Sequence, residues 1–557
     1  MNRRHAILIF LTVLALPKFA QSQSASAVDP KIEVDRIFAR WNSSETPGCA
    51  VAVSRNGQVV LSRAYGMADL EHGIPNSPET VFEAGSVSKQ FTAAAIVQLA
   101  QQRKLGLDDD VRKYIPELPD YVSKITLRHL MNHTSGLRDW GAIVDVAGWP
   151  RGTRLHTQAH VLGVVSRQKS LNFSPGSEYS YCNTGYNLLA MIVERVSGEA
   201  FANFTKRNIF DPLGMKHTGW RDDFSRIVPG RAIAYSRREG SYSMNMPFEN
   251  VHGNGGLLTT VGDLLLWNEN FIHGKVGGPS LVEELQRRAV LTSGQTISYA
   301  EGLRVSIYKG IPEVSHSGST AGYRAFLMRY PTQHLSVALL CNLATMNPDS
   351  LAHQTADIFL RDYISEKKPE VISLPLNALK AKAGLYRNPR LDTPLRLSLR
   401  DGSLYVGRSE LLPLSDTDFL VGNGPNRILF STQGQGNRFS FSFATSEDTT
   451  QFEPAEEVSP TVAQLREFEG LYHSDEVEVT CSVLVQDGKL SLRRRPDTVR
   501  PLTSAYNDAF IAPSVRTAFG ESGEWVVRFR RDKDGHVVSL SIALPRAYDL
   551  PFVRLTR

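Results

Sequence analysis

Strand-like runs rich in apolar residues stand at 49–54 and 58–64, helical stretches fill the middle of the chain, and strand-like apolar runs return at 325–330 and 335–341. A last helical pattern covers 351–364. Short apolar runs bounded by turn residues predict buried strands, whereas recurrence at three- and four-residue intervals predicts helices. Strands at both ends of a segment, with helices between them, predict a sheet closed by the segment's two ends and packed on a helical layer. Residues 28–365 are therefore expected to form one α/β (α+β) unit. A polar stretch at 366–376, with Glu366-Lys367-Lys368-Pro369-Glu370, reads as a linker.

Beyond it the period falls to two. Leu395-Arg396-Leu397-Ser398-Leu399 and Phe439-Ser440-Phe441-Ser442-Phe443 alternate as half-buried strands do. Gly384-Leu385-Tyr386 recurs as Gly470-Leu471-Tyr472, and Asp401-Gly402 recurs as Asp487-Gly488, both at an offset of 86 residues. Pro413-Leu414 and Pro501-Leu502 follow at an offset of 88. One offset shared by two motifs predicts two copies of a small all-β, barrel-like domain, at 377–460 and 461–557, with the Asp-Gly steps as hairpin turns.

The first 27 residues have a different texture. A basic start, Arg3-Arg4-His5, precedes eleven largely apolar residues at 6–16, then Pro17, Lys18 and small residues ending in Ala25-Ser26-Ala27. This reads as a secretory signal peptide, too short in its apolar part to span a bilayer, so an exported protein (periplasmic or secreted) with no membrane anchor after cleavage is expected. Three of the positive charges lie in this segment, which holds no acid, so the net charge of +5 falls to +2 without it. With no basic patch interleaved with aromatics, nothing points to nucleic acid. A composition of 41% hydrophobic and 21% charged residues excludes disordered and fibrous chains. The four cysteines are too scattered for a disulfide scaffold, and no CxxC or HExxH spacing occurs, so neither metal nor cofactor is expected. Cys49 and Cys341 read as buried thiols in strand-like runs, with a bridge between them left open.

The chemistry concentrates in three places. Gly85-Ser86-Val87-Ser88-Lys89 precedes a stretch at 91–99 that is apolar on nearly all sides, the mark of a buried helix. Ser86 and Lys89 then share one face, the serine near free backbone N–H groups and the lysine partly desolvated, an arrangement that activates a nucleophile. Taken singly, Ser86 reads rather as an N-cap and Lys89 as a solvated side chain. Tyr181-Cys182-Asn183 stands before a helix at 186–196, and His316-Ser317-Gly318-Ser319 precedes the strands at 325 and 335.

In this order, SxxK, YxN and HxG resemble the serine penicillin-recognising superfamily, in its class C β-lactamase-like branch, which includes DD-peptidases, D-aminopeptidases and esterases. Asn132-His133-Thr134-Ser135-Gly136-Leu137 and Gly255-Gly256-Leu257 with Asp263 extend the match from about residue 49 to 364. The resemblance implies a β-lactamase-like catalytic domain with an antiparallel sheet, Ser86 as nucleophile, and Tyr181, kept near ionisation by Lys89, as general base. It implies substrate contacts from Asn183, His316 and Gly318, and an oxyanion hole from the backbone N–H groups of Ser86 and Ser319. His133 reads as a loop-holding residue outside the site, and Cys182 as core.

Histidine at 316, where β-lactamases of this branch carry lysine, goes in the family with peptidases. The expected partner is a small peptide or ester, cell-wall-derived peptides included, with β-lactams as acylating inhibitors. The expected activity is hydrolysis of D-amino-acid-containing peptides (D-aminopeptidase or DD-peptidase type). An esterase or weak β-lactamase is the alternative, and a penicillin-binding or interaction protein with little turnover the alternative of another class. The two β domains hold no catalytic constellation and are expected to bury cores of their own and to wall the site or hold substrate.

Overall fold

The computed structural model describes residues 29–556 except 366–368, 432–438, 495–497, 515, 518–519 and 522–523. The signal-peptide expectation, at 1–27, lies outside the described residues. Six strands form an antiparallel sheet: β1 (Cys49–Arg55), β2 (Gln58–Tyr65), β3 (Arg304–Tyr308), β4 (Ile311–Thr320), β5 (Tyr323–Tyr330) and β6 (Leu335–Cys341), in the order β3-β4-β5-β6-β1-β2. The sheet closes as expected, because β1 pairs with β6 along its whole length, Cys49 opposite Cys341.

β1 shows why its sequence is apolar throughout. Cys49, Val51 and Val53 join the core on one face, under α1 (Pro30–Phe38) and α5 (Pro348–Leu360). Ala50 and Ala52 face the other way, into the core shared with α2 (Lys89–Gln101), α3 (Asn183–Ser197) and α4 (Val261–His273). A strand buried on both faces needs no polar alternation. Its small residues on the helical side let α4 pack against β1 and β6.

One expectation is corrected here. Cys49 and Cys341 form a disulfide rather than remaining thiols. His316 precedes β5 and β6 as expected, and itself lies in a further strand, β4, whose polar Ser-His-Ser-Gly-Ser run hid it from a hydrophobic reading.

Both repeats close into eight-stranded antiparallel barrels, from Gly384–Arg387 to Thr449–Pro454 and from Gly470–Ser474 to Ala547–Arg554. The Asp-Gly steps are two-residue hairpin turns between paired Arg400 and Ser403 and between paired Gln486 and Lys489. Both turn residues have positive φ in each copy (48° and 84°; 49° and 73°), as a type I′ turn requires.

The first barrel buries a core of its own around Leu404, Phe419 and Ile428. The second does not, contrary to expectation. Its Trp525, Phe510 and Val477 belong to one continuous core with Trp140, Ile143 and Val144 of the catalytic unit. Polar contacts seal that junction: buried Arg138 binds Glu476 at 2.6 Å, and Arg494 donates to Val146 O at 2.7 Å. The first barrel touches the catalytic unit at Arg304–Glu447, 2.8 Å apart.

Candidate active site

The turn that carries Ser86 is a 3₁₀ turn, Gly85–Ser88, leading directly into α2. Two glycines let β4 press against it. A Cβ on Gly318 would lie 2.0 Å from Ala84 O, and one on Gly85, whose φ is +51°, would lie 2.6 Å from Ser319 N. This close approach brings the Ser319 amide against the backbone of the Ser86 turn. Ser88 pins the turn from behind, accepting from Leu257 N at 3.1 Å.

Lys89 is fully buried one helical turn from Ser86. Its Nζ lies 3.1 Å from Ser86 Oγ, 3.0 Å from Asn183 Oδ1 and 2.6 Å from Asn254 O. Burial, aided by the charge of Arg546, holds its pKa well below the ordinary 10.5. The three neighbours accept from the ammonium form, and once the amine loses a proton it keeps two N–H groups and gains one lone pair. Asn183 Oδ1 and Asn254 O only accept, which leaves the lone pair for the Ser86 hydroxyl proton.

Tyr181 and Asn183 come from the entry to α3. The Asn183 amide donates to Asp139 Oδ2 at 2.6 Å and the Cys182 amide to His133 Nδ1 at 3.1 Å. Cys182 is extended, so its side chain points away from its neighbours, into the core beside Leu137 O. Lys89 Nζ is 4.8 Å from the centre of the Tyr181 ring. Burial pushes the Tyr181 phenol up to about 12, against smaller lowering influences from Ser86 and Arg546. The expectation that Lys89 keeps this tyrosine near ionisation is not what the geometry gives: the amine is spent on Ser86, Asn183 and Asn254.

His316 is held by a chain of hydrogen bonds whose direction is forced at both ends. A backbone N–H can only donate, so His133 Nδ1 accepts and its Nε2–H donates to Tyr299 Oη, at 3.1 Å. Tyr299 then donates to His316 Nε2 at 2.9 Å, and His316 Nδ1–H donates to Ser317 O at 2.6 Å. Both histidines are neutral in this pattern. Burial and the nearby Lys89 lower His316 to about 3, and burial also holds His133 far below its ordinary value.

Ser86, Tyr181, Asn183, His316 and Ser319 line one cavity of about 430 Å³. Lys89 lies behind its wall, and Gly318 acts through the backbone contact. The sequence reading missed five contributors: Asp139, Asn254, Tyr299, His133 as more than a loop anchor, and Arg546. Asn254 lies in Gly253-Asn254-Gly255-Gly256, a turn signal beside a motif already singled out. Arg546 enters from the hairpin between Val537–Leu544 and Ala547–Arg554 of the second barrel, its guanidinium 4.9 Å from the Tyr181 ring centre.

Comparison with known proteins agrees with this architecture. The Beta-lactamase family model matches residues 34–360, more than half of the chain. A D-aminopeptidase of Brucella melitensis biotype 2 is 27% identical over 528 residues, covering 91% of this chain and 96% of the relative. One from Brucella anthropi is 27% identical over 529 residues, covering 91% and 95%. Among solved structures, the octameric penicillin-binding protein homologue of Pyrococcus abyssi superposes with a TM-score of 0.54 at 22% identity, over 85% of this chain and all of that one. The D-amino acid amidase of Ochrobactrum anthropi SV3 superposes with 0.51 at 20%, over 60% and 99%. At these identities the superpositions establish the fold. A serine hydrolase scaffold, a lysine-backed serine in its cavity and a family match across that whole domain lead to one conclusion: the chain belongs to the β-lactamase family.

Proposed function

We propose that the protein is an exported serine hydrolase that cleaves D-amino-acid-containing peptides or amides through an acyl-enzyme on Ser86. The observation that carries this reading is the Ser86–Lys89–Asn183–Asn254 cluster, in which a buried amine whose pKa burial lowers faces the serine hydroxyl across 3.1 Å. The D-amino-acid preference draws support from relatives named D-aminopeptidases, which match across the catalytic unit and both barrels.

In this reading Ser86 Oγ attacks the scissile carbonyl carbon while its proton passes to Lys89 Nζ. The oxyanion that forms is received by the amides of Ser86 and Ser319, donors fixed by the Gly85 and Gly318 contacts before substrate arrives. Collapse of the tetrahedral intermediate breaks the C–N bond. The leaving amine takes the proton that Lys89 received from Ser86, while Tyr181, kept protonated by its raised pKa, donates a hydrogen bond on that side. Water then enters and the same groups act in reverse to release the acid. Asn183, its Oδ1 occupied by Lys89, retains its Nδ2 group to donate to the substrate's amide carbonyl. Export is supported by the disulfide between Cys49 and Cys341, since such bridges persist in oxidising compartments.

The test is a hydrolysis panel of enantiomeric pairs: D- and L-alanine amide, acyl-D-Ala-D-Ala and acyl-L-Ala-L-Ala, short p-nitrophenyl esters and a chromogenic cephalosporin. Preference for the D member of each amide pair is expected. Turnover of esters alone would make the enzyme an esterase.

A further inference from the structure

The charge of the catalytic cavity points to a substrate that its amino-acid relatives' name does not. Its wall contains Arg151, Arg304 and Arg546 and no carboxylate. Two of these cations are already matched. Arg151 binds Glu249 with Nε 2.8 Å from Oε2, and Arg304 binds Glu447 at 2.8 Å. Arg546 has no ion-pair partner among the described residues; its guanidinium rests near the face of the Tyr181 ring, exposed to the cavity.

The arginine is presented by a clamped backbone. Its carbonyl accepts from Asp139 N at 2.9 Å and from Asn172 Nδ2 at 3.2 Å, while the next-but-one amide, Tyr548 N, donates to Asn172 Oδ1 at 2.9 Å. Asp139 also fixes the start of α3, so one residue sets both the Tyr181-Asn183 turn and the Arg546 loop. His316 cannot supply a positive charge here, because both its ring nitrogens are engaged internally and the ring is neutral.

We propose that Arg546, supplied by the second barrel, is the anchor for a substrate carboxylate on the leaving-group side of the scissile bond. The favoured substrates are then acyl peptides ending in a free D-amino acid, cleaved from the carboxyl end. A substrate presenting a free ammonium group meets the unmatched guanidinium of Arg546 and no lining acid to receive it. This rests on the Ser86 hydrolase reading and narrows it.

The experiment uses the full-length protein and three substrates: acetyl-D-Ala-D-Ala, its C-terminal amide, and D-alanine amide, with kcat/KM measured for each. The wild type is expected to favour the free acid over its amide by about tenfold or more, the range of one charge-assisted hydrogen bond. That ratio should fall as ionic strength rises, which needs no variant. Arg546→Gln should bring the ratio toward one, chiefly through KM, and Arg546→Lys should restore part of it. Thermal unfolding of both variants, whose clamp is main-chain, checks that the barrel stays docked. A wild type that prefers D-alanine amide, or a ratio unmoved in folded Arg546→Gln, overturns the proposal while labelling of Ser86 by a fluorophosphonate leaves the hydrolase reading standing. Absence of that labelling overturns both.

Discussion

Replacing Gly318 by alanine sets one methyl group against the turn that carries Ser86. The new Cβ would lie 2.0 Å from Ala84 O and 3.0 Å from its carbonyl carbon, where ordinary contact begins at 3.4 Å. Both partners are backbone, one in the middle of a sheet and one at the head of a buried helix, so no side chain can swing aside. β4 and the Ser86 turn must separate by on the order of 1 Å, a displacement that costs about a hundredfold in a positioned reaction. Overpacking of this kind costs about 1–3 kcal/mol, which leaves a protein of this size folded. The expected result is a Gly318→Ala protein with a modestly lowered Tm whose acylation by a neutral fluorophosphonate, followed by time-resolved intact mass, slows by about two orders of magnitude. Gly219→Ala serves as control, because a Cβ there meets nothing within 4 Å. Wild-type acylation by folded Gly318→Ala would refute the argument that this backbone contact holds the oxyanion donors in place.

Tyr299→Phe removes the hydroxyl shared by His133 and His316, leaving two buried ring nitrogens unpaired at about 1–3 kcal/mol each, so both Tm and kcat/KM should fall; no change in either would dissolve the relay. Because burial holds Lys89 well below 10.5, acylation should rise with pH as the amine loses its proton, and the rise should be complete well below pH 10.5; a limb at or above that value would mean that Lys89 is not the acceptor. His353 supplies a stability test elsewhere in the fold: burial opposes its charged form, but Asp349 and Glu313 outweigh it and raise the pKa from 6.5 to about 10. Its contribution is then fully present below pH 6.5 and lost as pH rises toward 10, so urea titrations of wild type should show this loss and His353→Gln should flatten it.

What could be read in advance follows from what is locally encoded. β1, β5 and β6 are buried on both faces and are apolar in sequence, so their runs stand out. β3 is a half-exposed edge strand and β4 turns Ser, His and Gly toward the cavity, so neither carries a hydrophobic signature. The barrels were legible because a type I′ turn demands residues such as Asp-Gly and period-two alternation needs no tertiary context. The disulfide was not, since its cysteines are 292 residues apart and meet only through the β1–β6 register. Ser86, Lys89, Tyr181 and Asn183 were visible because each sits at a fixed spacing at a helix start. Arg546 has no such spacing. Its place depends on how the second barrel docks against Trp140, Ile143 and Val144, a tertiary fact with no local trace. The Tyr181–Lys89 relation failed for a similar reason: the amine's partner Asn254 comes from a distant turn.

The central claim is that Ser86, backed by buried Lys89, is the nucleophile. Incubation with a fluorophosphonate, followed by intact-mass measurement and peptide mapping, tests it most directly. A single adduct on Ser86, absent in Ser86→Ala and strongly slowed in Lys89→Met, is the predicted result. An adduct on another residue, or one that persists in Ser86→Ala, would contradict it.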